Sequence, residues 1–365
     1  MNFFTKCGLA LSLLILCIVV TSFSTAQELT PAQITGEWSI SPHANKQSEA
    51  FTHWNDDGEI PGSCAVCHST TGASDYMAGP MSTPGIIDHP VPTGESVECA
   101  ACHNPNIGAL ISVPFPSGVT LDKFGNSATC AVCHQGRASR KSVDQAVSGF
   151  EEDTIQRDIS FINIHYAASA ASLMGTLAKS GYEYDGKDYK GQFNHVPNLS
   201  LCTDCHNPHS LAVTQTSCTA CHQDITSFKD IRTSQIDFDG DGNTKEGIAD
   251  PISSLKQQLG VAIQRYAAEI TNAPIVYSPS SYPYFFNGSG DGAFVTAEKE
   301  TFPNRYQSWT PRLLKAAYNY QYVTKDKGIY AHNPHYAIQL LFDSLENLSE
   351  VVEVDISSFT RPSAQ

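Results

Sequence analysis

The 365-residue chain has no basic excess: 22 Lys and Arg stand against 37 Asp and Glu, for a formal charge of −15 at pH 7. Nothing in it resembles a basic stripe, which argues against a nucleic-acid partner. Methionine is scarce, with four in all. Long apolar runs are confined to one N-terminal segment, and at 41% hydrophobic residues the bulk reads as soluble rather than membrane-spanning. Beyond that segment no cysteine stands alone. What the chain has in excess is 12 Cys and 13 His, more than an ordinary globular domain needs.

Residues 1–26 read as an export signal. Lys6 supplies the positive start, Leu9–Val20 is almost unbroken apolar sequence, and Ser24-Thr25-Ala26 offers small residues for cleavage before Gln27. Removal takes Cys7, Cys17 and Lys6 with it and leaves ten Cys. No stable membrane span is then expected, and the product is exported, to the periplasm or beyond the cell.

The ten Cys form five copies of one pattern: Cys64-Ala-Val-Cys67-His68, Cys99-Ala-Ala-Cys102-His103, Cys130-Ala-Val-Cys133-His134, Cys202-Thr-Asp-Cys205-His206 and Cys218-Thr-Ala-Cys221-His222. A disulfide framework does not call for His after every second Cys. Zinc knuckles do not require that His five times in five, and they usually come in pairs. The pattern is the attachment signature of c-type haem. Two thiols, two residues apart, reach both porphyrin vinyl groups from one short turn. The adjoining His is carried under the ring as an iron ligand. Five haems c are therefore expected.

A second axial ligand comes from His or Met, or the position stays open. Eight His lie outside the motifs in the mature chain, enough for bis-His ligation throughout and hence comparatively low potentials. His43, His165, His195 and His209 are the leading candidates, followed by His53 and His332. His209 follows His206 by three residues, too close to reach round the same ring, so it should serve a neighbouring haem. His165 is expected at the head of an Ala-rich helix running to about Lys179. His332 precedes Asn333-Pro334, a cap and first-turn pair. His89 and His335 read as bystanders.

The organisation splits near residue 232. Residues 27–232 carry all five motifs, so porphyrin must form much of that core, wrapped by short helices and loops. Within it, Gly181–Tyr189 alternates aromatic and polar residues around Asp185-Gly186 and predicts a small hairpin. Residues 233–365 predict a helical cap. Its first helix carries Leu255, Leu259, Ile263, Tyr266 and Ile270, a second opens at Thr310-Pro311, and a third runs from about Pro334 to Leu348, with residues 273–308 irregular. At the junction, Asp237, Asp239, Asp241 and Asn243 resemble the opening of a calcium loop. Position twelve of such a loop is Ile248 rather than Glu, which departs from an EF-hand. The fold class expected is mainly α with much irregular structure and few short strands, built around haem.

With these motifs and the flanking segments Ser-Pro-His43-Ala, Ile-Asn-Ile-His165-Tyr, Cys-His-Asn-Pro-His209 and Ala-His332-Asn-Pro-His-Tyr, the chain resembles exported multihaem c-type cytochromes of anaerobic respiration. The resemblance implies electron transfer with redox proteins as partners. Some members of that class form extracellular filaments, in which a His of one subunit ligates a haem of the next, so further copies of this chain are a second class of partner. Pentahaem nitrite reductases carry a CxxCK motif, which is absent here. Three readings follow: an electron carrier that is not an enzyme, a filament subunit, and, behind both, an oxidoreductase acting on a small nitrogen or sulfur compound.

Overall fold

The computed structural model describes residues 29–79, 84–196, 199–213, 215–223, 225–288 and 299–364; the export segment 1–26 lies outside them. About 42% of it is helical, with few short strands and much irregular chain, which is the expected fold class. Each Cys-x-x-Cys pair falls on a helical turn: Gly62–His68, Cys99–Cys102, Ala128–Cys133, Cys202–Cys205 and Thr216–Thr219, the last stopping just short of Cys221. The turns stay short because each motif His sits at or just past the helix end. Two-residue antiparallel ladders, Glu59–Ile60 with Val91–Pro92 and Val113–Pro114 with Thr120–Leu121, close the loops between the first three motifs.

The C-terminal part is built differently. Ala249–Glu269, Pro311–Lys325 and Pro334–Ser349 are long helices packed on one another. Thr310 caps the second by accepting a hydrogen bond from Leu313 N, and Asn333 caps the third by accepting from Tyr336 N. In both helices Pro occupies the first turn, where its missing N–H costs nothing. Leu255, Leu259, Ile263 and Tyr266 are buried at helical spacing, as the sequence predicts. Residues 273–308 are less irregular than expected: Ile275–Tyr277 pairs antiparallel with Phe285–Asn287. That short ladder packs Tyr277 and Phe285 against Tyr320 and Trp309, a use of aromatic residues that the spacing did not reveal.

Two local expectations are corrected. The Ala-rich helix runs only over Ser169–Met174, not to Lys179. Gly175 ends it with φ at +52°, where a Cβ would strike the Lys190 carbonyl. Residues 181–189 keep the turn at Asp185-Gly186 but form no ladder. Their backbone groups pair with side chains of the C-terminal helices instead. Tyr182 N donates to Asn319 Oδ1 at 2.7 Å, and Asn319 Nδ2 returns a bond to the Tyr182 carbonyl at 2.9 Å. Gly181 N donates to the Tyr336 hydroxyl, which in turn donates to Glu183. Arg312 reaches Asp153 at 2.7 Å. Residues 150–190 are thereby locked to the helices that follow residue 249.

Asn319 is fully buried, and both ends of its amide serve one loop. Asn319→Ala is expected to cost about 2–4 kcal/mol, because it strands a buried N–H and a buried carbonyl. The check is the thermal midpoint of the purified protein; a midpoint equal to wild type would contradict this role.

Candidate functional site

Three of the five motif imidazoles are oriented from behind by backbone carbonyls. His68 Nδ1 lies 2.6 Å from the Ala50 carbonyl, His134 Nδ1 3.1 Å from that of Ala167, and His206 Nδ1 3.0 Å from that of Leu211. A carbonyl only accepts, so each Nδ1 carries a proton, and in the neutral ring Nε2 is the nitrogen with the lone pair. These bonds also fix the ring planes, the usual outer-shell support of a metal-ligating His.

Four motif His face a second imidazole. His43 stands 6.3 Å from His134 between ring centres, His165 6.0 Å from His68, His209 6.2 Å from His103, and His195 5.8 Å from His222. Rings in van der Waals contact would stack closer or tilt into each other, and hydrogen-bonded rings would be linked directly. One metal between two imidazoles, with bonds of about 2.0 Å and about 1.1 Å more to each ring centre, requires a separation of about 6.2 Å. All four values fall within half an ångström of that figure. Burial, followed by the neighbouring His134, lowers the His43 pKa to about 4; burial, followed by His68, does the same to His165. Both rings are therefore neutral at neutral pH and available as ligands. His165 holds φ at +73°, and its N–H donates to Asn163 Oδ1. This unusual backbone turns its ring back toward the first motif.

The His of the fourth motif, His206, differs. Among the described residues His206 has no second imidazole in ring contact, but His332 lies within electrostatic range of Cys202 in the same motif. His332 Nδ1 is held by both oxygens of buried Asp326, at 2.8 and 2.9 Å. Burial pulls the His332 pKa down, but the charge and hydrogen bond of Asp326 outweigh it, and the net shift is upward. The arrangement leaves His332 Nε2 as the free donor.

The remaining His are elsewhere. His53 is exposed, bound to Glu49 at 2.9 Å and separated from His68 by the Trp54 ring, so it faces no motif His. His89 sits on the surface between Asp75 and Asp88. His335 packs on the Phe238 ring.

The motifs also adjoin one another. The thiols of Cys67 and Cys133 interact at close range, as do those of Cys130 and Cys202. Cys133 Sγ lies 3.7 Å from the Val66 carbonyl, and Arg137 reaches the Ser63 carbonyl at 2.5 Å. Cys102 is within electrostatic range of Cys130 and Cys133, and Cys218 of Cys205. The third motif is thus central, against the first and fourth and within electrostatic range of the second, and the fifth lies near the fourth. No disulfide joins any two of the described Cys. A cavity of about 310 Å³ opens beside the first motif, lined by Cys64, Cys67, His68 and His165 with the cations Arg137 and Lys141. Donor type, ring separation and thiol placement all suit a porphyrin iron.

Comparison with known proteins finds the C-type polyheme cytochrome OmcB of Geobacter sulfurreducens, 24% identical over an alignment that takes in 81% of this chain and 45% of that protein. OmcC of the same organism, also a C-type polyheme cytochrome, is 23% identical with 81% and 44% covered. The chain is a relative of the multihaem c-type cytochromes. It spans less than half the length of the relatives it matches. No protein-family model and no solved structure matches it. Among the described residues of this cytochrome relative, no helix is long and apolar enough to cross a membrane.

Neither Asp326 nor the backbone carbonyls were singled out by sequence reasoning. Carbonyl partners carry no residue signature, and Asp326 precedes His332 by six residues across a turn. Because Asp326 is almost wholly buried, Asp326→Ala would leave the His332 ring without its partner. A loss of about 2–4 kcal/mol is expected, with Asp326→Asn losing less because it can still accept from Nδ1. Thermal unfolding of the three proteins side by side tests the order; equal midpoints would refute it.

Proposed function

We propose that the exported chain carries electrons through five covalently attached c-type haems, each held between two imidazoles. The observation that carries this reading is the set of facing imidazoles at 5.8–6.3 Å, each pair joining a motif His to one outside the motifs. Relationship to polyhaem cytochromes supports haem c as the cofactor and electron transfer as the general function.

In this reading the thiols of Cys64 and Cys67, Cys99 and Cys102, Cys130 and Cys133, Cys202 and Cys205, and Cys218 and Cys221 form the thioethers. The irons would be held by His68 with His165, His103 with His209, His134 with His43, and His222 with His195. His206 pairs with His332, the one remaining imidazole with a buried orienting carboxylate. His53 is left out of the ligand set, since it faces Glu49 and Trp54.

When bound, the haem supplies reversible one-electron chemistry at iron. The chain's own groups do the rest. Carbonyls at Ala50, Ala167 and Leu211 hold the motif rings against rotation, so little reorganisation accompanies a change of charge. Two neutral nitrogen ligands favour low potentials, since no Met takes an axial place. Arg137 and Lys141, lining the cavity at the first motif, are the cations positioned to offset propionate charge there. The closeness of the third motif to three others supplies short through-protein separations between sites. The acidic surface favours basic redox partners. With both axial positions filled by protein, no iron is left open to a substrate, which favours a carrier over an oxidoreductase.

Coulometric reduction of the exported protein tests the function. Five electrons per polypeptide, taken up reversibly, are expected; an uptake of fewer, or none, would overturn the count. His165→Ala should leave every thioether in place and convert one haem in five to a high-spin or exogenous-ligand-binding form, read by electron paramagnetic resonance of the ferric protein. An unchanged, wholly low-spin spectrum would remove His165 from the ligand set.

A further inference from the structure

The junction between the motif-bearing region and the C-terminal helices carries a second cluster of oxygen donors. Asp237, Asp239 and Asp241 each place one carboxylate oxygen within 4.8 Å of the others. Oxygens on opposite sides of a calcium ion, each bonded at about 2.4 Å, are about 4.8 Å apart, so the three fit round one ion. Asp239 is only 8% exposed, and its Oδ1 has no hydrogen-bond partner. A buried carboxylate oxygen without a donor is costly, and three like charges this close make it more so. Glu246 Oε1 is likewise buried without a hydrogen bond, 3.6 Å from Arg232 Nη1. Arg232 is occupied with Glu246 and the carbonyls of Ser234 and Ile236, so it does not neutralise the aspartates.

The loop's remaining polar contacts arrange the carboxylates but do not balance their charge. Asp237 accepts from Gly240 N at 2.7 Å and Gly242 N at 2.8 Å, and Asp241 accepts from Asn243 N at 2.7 Å. Asn243 Oδ1 takes Lys245 N, while its Nδ2 points to Glu246. Burial raises the Asp239 carboxyl, opposed by a bond from Ser254 and reinforced by the charges of Asp241 and Asp237. Gly240 sits at φ +76°, pressed so closely on Ser358 that a Cβ would not fit. Thr360 N donates to the Phe238 carbonyl, and the Phe238 ring is fully buried between Arg232 and His335. The loop is therefore where the 230s segment, the start of helix Ala249–Glu269 and the C-terminal tail meet.

We propose that Asp237, Asp239 and Asp241, with Glu246 beside them, bind one calcium ion that fastens these three segments together. All-oxygen, carboxylate-rich donors select a hard cation over zinc or copper. Flexible loop ligands without octahedral order favour calcium over magnesium. The site does not depend on the haem assignment, since none of its residues touches a motif.

The test uses the full exported, haem-loaded protein stripped with chelator and titrated with CaCl2 by calorimetry, alongside Asp241→Asn and Asp239→Asn. Expected are one tight site per chain in wild type, at least tenfold weaker binding in either variant, and a thermal midpoint that calcium raises in wild type only. Asp241 is exposed, so its variant should fold even where Asp239→Asn does not. Equal calcium affinity in wild type and Asp241→Asn, or a midpoint indifferent to calcium and chelator, would overturn the proposal, as would magnesium binding at least as tightly.

Discussion

The structure turns on the gap between facing imidazoles. Two rings whose centres stand about 6 Å apart are too far apart to bond directly, and the same spacing recurs in four pairs. Backbone carbonyls behind three motif His, Asp326 behind His332 and the strained backbone at His165 hold the rings there. The helices that carry the motifs are one or two turns long, each ending at or near the His it presents. Buried apolar residues of that region, among them Val66, Val113, Phe115, Phe124 and Val132, join the same core as the C-terminal helices.

The long helices of the C-terminal region are apolar on their inner faces and capped by side chains at both Thr310 and Asn333. They form an ordinary core rich in Tyr and Trp, and they grip residues 150–190 through Asn319, Tyr336 and Arg312. That grip has a functional consequence. The gripped segment includes His165, and the helical region itself contributes His332. The packed domain thereby fixes two ligand candidates for sites whose thiols lie elsewhere in the sequence.

Legibility in the sequence tracked how local each feature is. The five motifs, the helix openings at Thr310 and Pro334, and the apolar stripe from Leu255 to Tyr266 depend on near neighbours and could be read directly. His43, His165, His195 and His209 were singled out from their flanking residues, and each faces a motif ring. Which ring each faces was not readable, because the pairs span from 27 to 106 positions of chain whose path is set by tertiary packing. His53, ranked behind these four, is occupied by Glu49 and Trp54. The hairpin expected at 181–189 failed because its backbone found side-chain partners more than a hundred residues away, which outcompeted local pairing. The helix expected to reach Lys179 failed at a single glycine in close contact with a distant carbonyl.

The central claim is that every iron is clamped by two imidazoles. Near-infrared magnetic circular dichroism of the fully ferric, exported protein addresses it directly, since the ligand-to-metal band of a low-spin haem reports its axial pair. The account predicts bis-imidazole signal alone, with an intensity equal to five haems per chain. A methionine-ligated or high-spin contribution amounting to one haem or more would contradict it.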